Sequence, residues 1–294
     1  QKMKRLLLIM ISCMATYGVA FSQATESKSS IFQLSLFPPL STNWIHSYQY
    51  SNKASLNLLV GLSRNEEGVA IAGLANIIIN DAKGFQFAGL INIAENVSGV
   101  QFAGLINKAR NVNGVQFAGL VNMAENSDYP IGFINIIKNG EKGIAITYNE
   151  LGSIMTTFRS GGKVTYGIIG IGYNHKTSGR SYATEVGWGI HINCLSWFRI
   201  KNELKVSCFG FSDNPLILND DKLSNTVINS NYSILPSFKI SPHFELFGGP
   251  SLNYMNSGNA NKEFDFKRYI WKQSSSTRLQ RIYVGYQVGI QCLF

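Results

Sequence analysis

Histidine, cysteine and charged side chains are the residues of this sequence that could do chemistry. The four histidines are His46, His175, His191 and His243. A hydrolytic site needs a nucleophile, a base and a group that orients the base, all within hydrogen-bond reach. His191 shares a strand face with Glu185, but six residues of strand span about 20 Å, which is too far for a direct pair.

His175 and Ser181 lie near one candidate loop, where a membrane-embedded lipid hydrolase would keep its nucleophile and base. Ordinary loop polarity is the favoured interpretation, because the chain contains no GxSxG, P-loop, HExxH or EF-hand pattern. We expect no enzyme activity, no catalytic residue and no cofactor. A lipid-modifying barrel enzyme is kept as a remote alternative.

Cys194, Cys208 and Cys292 lie beyond the N-terminal apolar segment. They show no CxxC spacing and no nearby histidine pair, so no metal site is predicted. Their number is odd, and three small apolar side chains are favoured over a Cys194–Cys208 disulfide.

Charged side chains in the second half alternate with apolar ones, and a period of two is typical of strands. In a transmembrane barrel such alternation turns the apolar face to lipid and the polar face to the lumen. Inward polar residues are needed in any such barrel, so they do not by themselves indicate transport. The candidate lumen-lining residues are Glu185, His191, Arg199, Lys201, Glu203, Lys205, Lys239 and Glu245.

The last strand has the clearest pattern. From Ile282 to Phe294 every second residue is apolar or aromatic, and the strand ends on that face with an aromatic residue. This ending resembles the C-terminal signal by which outer-membrane barrels are recognised for insertion. Tyr286 and Phe294 are its candidate aromatic residues.

The connections between candidate strands alternate in length. Long loops on one side and short turns on the other are typical of an outer-membrane barrel, whereas a soluble sandwich has no reason to keep this order. The long or intermediate connections are 174–181, 211–225 and 258–278, and the short ones are 160–163, 193–195 and 241–242.

The N-terminus reads as a secretory signal peptide. Lys2, Lys4 and Arg5 precede an apolar stretch at 6–20, and small residues suit cleavage between Ser22 and Gln23. Removing residues 1–22 lowers the formal net charge from +9 to +6. A lipoprotein anchored on Cys13 is a less favoured alternative, because its lipobox is poor.

The remaining positive charge is modest and dispersed. No lysine or arginine cluster is interleaved with aromatic residues, so nucleic acid is not an expected partner. No later window of about 20 apolar residues occurs, so a helical membrane protein is not indicated. Abundant Gly, Asn, Ser and aromatic residues indicate an all-β fold.

The first half contains repeats with a period of 15 or 16 residues. Residues 84–94 read GFQFAGLINIA, 99–109 read GVQFAGLINKA and 114–124 read GVQFAGLVNMA. Weaker copies stand at 68–78 and 130–137, so the repeat region is 68–138. Residues alternate within each copy, and turn residues separate the copies, which predicts about one strand per repeat.

Two architectures fit these repeats. In the first, the repeats are wall strands of an antiparallel transmembrane β-barrel of about 14 strands over 23–294, or else of 12 strands. A barrel of 14 strands would enclose a polar lumen. Alternatively, the repeats form a parallel β-solenoid beside an eight-strand barrel, with asparagines in ladders. Strand length and the fully apolar Val/Phe face favour the first.

A family resemblance adds to this interpretation. FQLSLFPPLSTN at 32–43, the QFAGLIN repeats and YPIGFINIIKNGEKG at 129–143 resemble the surface-repeat outer-membrane proteins of Gram-negative bacteria. The resemblance spans roughly residues 31–160. It implies the outer membrane as location and a barrel as fold, and it implies no catalytic residue.

These observations predict a non-enzymatic outer-membrane β-barrel or surface protein, with a small porin-like pore as one expected function. An adhesin-like interaction protein built on the repeats is the alternative. The expected partners are outer-membrane lipid and, during insertion, the barrel-assembly machinery. The sequence does not indicate a specific ligand.

Overall fold

The computed structural model describes residues 27–176, 181–211, 227–257, 269–275 and 278–294. The chain divides into an N-terminal unit, residues 1–103, and a C-terminal unit, residues 104–294. Among the described residues, no helix is long and apolar enough to cross a membrane. The N-terminal unit contains β1 (Lys28–Phe37), β2 (Leu40–Ser41), a 3-10 helix (Trp44–Gln49), β3 (Tyr50–Asn57), β4 (Val60–Ser63), β5 (Asn65–Ala72), β6 (Ala75–Ile78), β7 (Asp81–Ala88), β8 (Ile91–Ile93) and β9 (Asn96–Ala103).

The repeats of the N-terminal unit form a parallel β-solenoid. Strands β1, β3, β5, β7 and β9 pair in parallel in one sheet, and β4, β6 and β8 pair in parallel in a second. Each repeat is one coil, in which a longer strand bends into a shorter one. Equivalent positions align, so that Gln86 pairs with Gln101 and Phe87 with Phe102.

Glycines at equivalent positions allow the coils to stack this closely. A Cβ atom on Gly89 would lie 2.1 Å from the carbonyl oxygen of Gly73, which no side chain tolerates. Gly99 has a φ of 138°, and its Cβ atom would lie 2.0 Å from the Gly84 oxygen. A positive φ is easily adopted by glycine alone. The repeated glycines therefore mark bends and close contacts between coils.

The interior of this solenoid contains rows of amide side chains among small apolar ones. Asn76 donates to the side-chain oxygen of Asn92 at 3.0 Å, and Gln101 donates to Gln86 at 2.9 Å. All four side chains are buried. Amide side chains both donate and accept, so stacked copies satisfy one another. The ladders predicted for the solenoid alternative are present.

Glu66 is a carboxyl group in the same interior. It accepts hydrogen bonds from Ser55 at 2.6 Å and from Asn52 at 3.0 Å. Burial raises the pKa of Glu66 above its ordinary value of 4.5. The folded unit therefore binds this proton more tightly than the unfolded chain, and stability is lost as pH rises above about 4.5 through the raised pKa.

Glu66→Gln is expected to reduce the pH dependence of the unfolding of the N-terminal unit above about pH 4.5, and to stabilise the unit where the carboxyl group of the parent chain is ionised. Glutamine keeps an acceptor for Ser55 but cannot ionise. Hydrogen exchange of residues 50–72 at several pH values measures this. Glu67→Gln, at an exposed neighbouring position, is the control. An unchanged pH profile in Glu66→Gln would contradict the assignment.

The C-terminal unit continues the repeats and then forms a barrel. Its strands are β10 (Ile106–Lys108), β11 (Asn111–Ala118), β12 (Val121–Ala124), β13 (Asn126–Ile131), β14 (Ile134–Ile137), β15 (Lys142–Asn149), β16 (Ser153–Gly161), β17 (Thr165–Asn174), β18 (Ser181–Asn193), β19 (Phe198–Phe211), β20 (Val227–Lys239), β21 (Phe244–Ser257), β22 (Trp271–Ser274) and β23 (Leu279–Leu293).

Eight antiparallel strands close the barrel. They follow chain order from β15 to β21, and β23 pairs with both β21 and β15. Among the described residues, the short β22 pairs only with β23 and takes no part in closing the barrel. The repeat strands of this unit are parallel, with β11 beside β13 and β10 and β14 on either side of β12.

The prediction of about 14 wall strands is not confirmed. The repeats form coils, as the alternative architecture has it, because parallel stacking in register pairs each asparagine with its equivalent. Asn107 donates to Asn122 at 3.0 Å, and Asn122 donates to Asn135 at 2.9 Å. Antiparallel strands would not bring equivalent residues together in this way. The predicted leader, 1–22, lies outside the described residues, as do positions 212–225 of the predicted long loop 211–225 and positions 258–268 and 276–277 of the predicted long loop 258–278.

Candidate functional site

The barrel interior holds most of the charged residues predicted to line a lumen. Alternation on β18, β19 and β21 turns these side chains inward, because neighbouring residues of a strand face opposite sides. The inward and buried members are Glu185, His191, Arg199, Lys201, Glu203, Lys205 and Glu245. Lys239 lies near the end of β20, is partly exposed, and its Nζ atom lies 3.6 Å from Glu141.

The first group of interior charges surrounds Glu245. Its carboxylate accepts two hydrogen bonds from the Arg199 guanidinium, each at 2.6 Å, and Lys201 lies 2.9 Å away. Arg199 also contacts Glu141 at 2.6 Å. The planar guanidinium donates two parallel hydrogen bonds to the carboxylate, and this geometry fixes the orientation of the Glu245 side chain. The Nδ1 atom of His191 lies 3.3 Å from Arg199.

The second group surrounds Glu203. Arg159 lies 3.1 Å from its carboxylate and Lys205 3.5 Å, and the Tyr166 hydroxyl donates to it at 2.8 Å. Lys205 also reaches Glu185 at 3.3 Å. These contacts join β16, β17, β18 and β19 across the interior.

Amide and aromatic side chains fill the space between these charges. Gln291 accepts from Lys201 at 2.7 Å and from Arg159 at 3.3 Å. The same two cations lie over the Phe247 ring, at 4.5 and 4.4 Å from its centre. Such contacts stabilise a cation where water is excluded. The described side chains therefore pack the middle of the barrel.

An apolar layer lies in the barrel beyond Glu185, toward the ends of the strands that carry the long loops. It is a cluster of buried side chains at Leu151, Met155, Ala183, Phe209, Val227, Met255 and Tyr283. Apolar side chains packed across an eight-strand barrel leave little room for water, because such a barrel is just wide enough for side chains to fill.

Sequence reasoning missed several members of this interior. Arg159 and Tyr166 contact Glu203, and Arg159 and Lys201 both lie over the Phe247 ring, but Arg159, Tyr166 and Phe247 were not predicted to line the lumen. The two-residue alternation of β16 could have indicated Arg159, because Arg159 lies on the same strand face as Met155 and Thr157. All three side chains are buried. The partners of these residues lie far along the chain, so the sequence could not pair them.

The histidines and cysteines do not assemble a reactive site among the described residues. The Nδ1 atom of His175 lies 2.6 Å from the Gly152 carbonyl oxygen, and the side chain of Ser181 is not described. The three described cysteines are free thiols. Within the described ranges, no group of three His, Cys, Asp or Glu side chains is placed to hold a metal ion.

Comparison with known proteins identifies no family. No family model matches the chain, and no curated protein matches it. Among solved structures, the chain is similar to one described as "De novo design of transmembrane beta-barrels", with 13% identity and a TM-score of 0.27, over 52% of this chain and 93% of that chain. A likeness at this TM-score supports no functional argument.

Proposed function

We propose that this chain is a non-enzymatic outer-membrane protein of a Gram-negative bacterium, in which a sealed eight-strand barrel anchors the repeat coils to the membrane. One observation carries the proposal. The barrel is apolar outside and charged inside, since Ile171 is 68% exposed and Val284 63%, whereas Lys201 and Glu203 are 0% exposed. This polarity suits lipid around the wall and would be unfavourable in water.

The strands support the same proposal. Strands β18 to β21 and β23 contain 13–15 residues, more than the ~9–11 that a tilted strand needs to cross the hydrocarbon core. Tyr286 and Phe294 lie on the outward face and are exposed. They suit the proposed roles of outer-membrane lipid as surroundings and of the barrel-assembly machinery as partner during insertion.

Ile190→Arg is expected to destabilise the barrel in lipid vesicles by roughly 2–4 kcal/mol if it lies near the bilayer centre. Ile190 is exposed on the outward face of β18, so the new charge would meet acyl chains. Urea unfolding in vesicles measures the change, with Ile190→Leu as the matched control. Equal stabilities of the two variants would contradict a lipid-facing position.

A sealed anchor is favoured over a small pore. The apolar layer and the two charge groups occupy the interior, so we expect no continuous water path for ions through the described side chains. Planar-bilayer recording of the purified chain is expected to show no steady conductance. Reproducible single-channel steps would favour the pore instead.

The position of the repeats bears on the adhesin alternative. The coil at 126–137 contacts the barrel at the 162–164 turn, where the Val164 amide donates to the Asp128 oxygen at 3.2 Å. Short turns of outer-membrane barrels face the periplasm. The coils of the C-terminal unit would then lie on the periplasmic side. Protease added to intact cells is expected to spare these coils and to cut them only after permeabilisation; cutting in intact cells would favour the adhesin.

A further inference from the structure

The repeat coils of the C-terminal unit have reversed polarity for a protein in water. Gln116 and Asn122 are buried inside the coil, whereas Val115 and Phe117 lie on its outer face and Leu120 is exposed. A water-soluble fold buries its large apolar side chains and turns amides outward. These coils bury amides together with small apolar side chains such as Ala118 and turn most of their larger apolar side chains outward.

The N-terminal unit shows the same reversal independently. Its larger sheet carries two outward apolar rows, and exposed Phe85 and Phe87 are one member of each. The rows are Val69, Phe85 and Val100, and Ile71, Phe87 and Phe102, aligned by parallel pairing. A continuous exposed surface of this kind marks a site that contacts another protein or a membrane.

Each coil is polar at one bend and apolar at the other. The apolar bend is a Gly-Leu dipeptide in two coils of the C-terminal unit, with Leu105 and Leu120 exposed, and Gly132-Phe133 in the last coil. The polar bend carries charges, since Glu125 lies 3.4 Å from Arg110 and 4.0 Å from Lys138. A coil with charged side chains at one end and apolar side chains at the other suits the boundary between lipid headgroups and acyl chains.

Contacts within the C-terminal unit place this gradient along the barrel wall. The polar end of the last coil meets the 162–164 turn through Asp128. The apolar bend of the same coil carries Phe133, whose ring stacks on Trp188 with centres 5.1 Å apart. Trp188 is on the outward face of β18. The apolar bend therefore points from the strand ends toward the middle of the lipid-facing wall.

The apolar length matches one leaflet. From Val115 to Leu120 a coil extends by about 16 Å, at roughly 3.3 Å per residue. The hydrocarbon core of a bilayer is ~30 Å thick, so one leaflet contributes about half of that. The coil is long enough to enter one leaflet and too short to cross both.

From this geometry we infer that the repeat coils insert their apolar bends into the acyl chains of a leaflet. For the coils of the C-terminal unit this is the leaflet on the short-turn side, with Arg110 and Lys138 at the level of the headgroups. The ligand of the repeats is then lipid hydrocarbon. The inference rests on the proposed membrane barrel for its position. The reversed polarity of the coils supports it separately.

Depth-dependent fluorescence quenching tests the inference. The full chain, with Cys13, Cys194, Cys208 and Cys292 replaced by alanine, receives one cysteine that carries an environment-sensitive fluorophore. The chain is inserted into phosphatidylethanolamine–phosphatidylglycerol vesicles with nitroxide on the acyl chains. The matched pair is Leu120→Cys at the apolar bend and Glu125→Cys at the polar bend. Leu90→Cys and Glu95→Cys repeat the pair in the N-terminal unit, and Ile190→Cys reports on the wall.

Leu120→Cys and Leu90→Cys are expected to be quenched as strongly as Ile190→Cys, and several-fold more than their polar partners. Quenching of Ile190→Cys without quenching of Leu120→Cys overturns the inference while the membrane barrel stands. No quenching at any site contradicts both. A water-shielded but unquenched Leu120 label would mean that protein, such as a second copy, covers the bend, which also overturns lipid insertion.

Discussion

Glu245→Ala is expected to lower the free energy of unfolding of the barrel by about 3–5 kcal/mol, because it leaves buried cations without their counter-charge. Glu245 is completely buried and holds Arg199 through two hydrogen bonds and Lys201 at 2.9 Å. Removing one member of a buried ion pair is far more costly than removing an exposed one. Urea titration of the chain in lipid vesicles, followed by tryptophan fluorescence, measures the difference.

Glu141→Ala is the matched control for this prediction. Glu141 contacts the same Arg199 at 2.6 Å, but its side chain is 35% exposed. Water screens such a contact, so a loss of roughly 1 kcal/mol or less is expected. If both substitutions cost the same, the interior is more hydrated than the packing around Glu245 indicates. The sealed barrel would then be wrong.

Asn135→Leu is expected to release the last coil from the barrel wall. Its side-chain amide donates to the Gly132 and Ser160 carbonyl oxygens, each at 3.0 Å, and its oxygen accepts from Asn122 at 2.9 Å. Leucine has a similar size but leaves all three groups buried without this partner. Each such loss costs about 1–3 kcal/mol, so a total of roughly 3 kcal/mol or more is expected.

Hydrogen exchange distinguishes release of the coil from loss of the whole fold. Amides of 120–137 are expected to exchange much faster in Asn135→Leu, while those of β18 to β21 keep their protection. Asn126→Leu is the control, because Asn126 is exposed and donates to Asn111, another exposed side chain, at 2.7 Å. Unchanged protection of 120–137 in Asn135→Leu would show that the coil is held by other contacts.

The two-residue alternation of the second half could be read without a structure. It determined that Lys201, Glu203 and Lys205 share one face of a strand and that Leu204 and Val206 share the other. This succeeds because side-chain direction in a strand depends on local backbone geometry alone. The alternating loop lengths likewise indicated where β17 to β21 begin and end.

The repeats show where such reading fails. QFAGLIN alternates in the same way whether it forms one straight wall strand or a strand that bends into the next side of a coil. The recurring glycine, Gly89 in one copy and Gly119 in another, was the available signal. An isolated glycine within a strand pattern indicates a bend or a close backbone contact, and both glycines face the backbone of the preceding coil.

Strand direction, strand number and the pairing of interior charges were decided only in three dimensions. The closing contact of the barrel joins β15 to β23, and the Arg159–Gln291 hydrogen bond links residues 132 positions apart. No local pattern encodes such partners, because they depend on which strands meet when the sheet closes. The sequence by itself determined that His191 and Glu185 are too far apart to act as a base and its orienting group, and that polar side chains face inward. Tertiary structure decided that those side chains neutralise one another in a filled barrel, since buried charges persist only when they are paired.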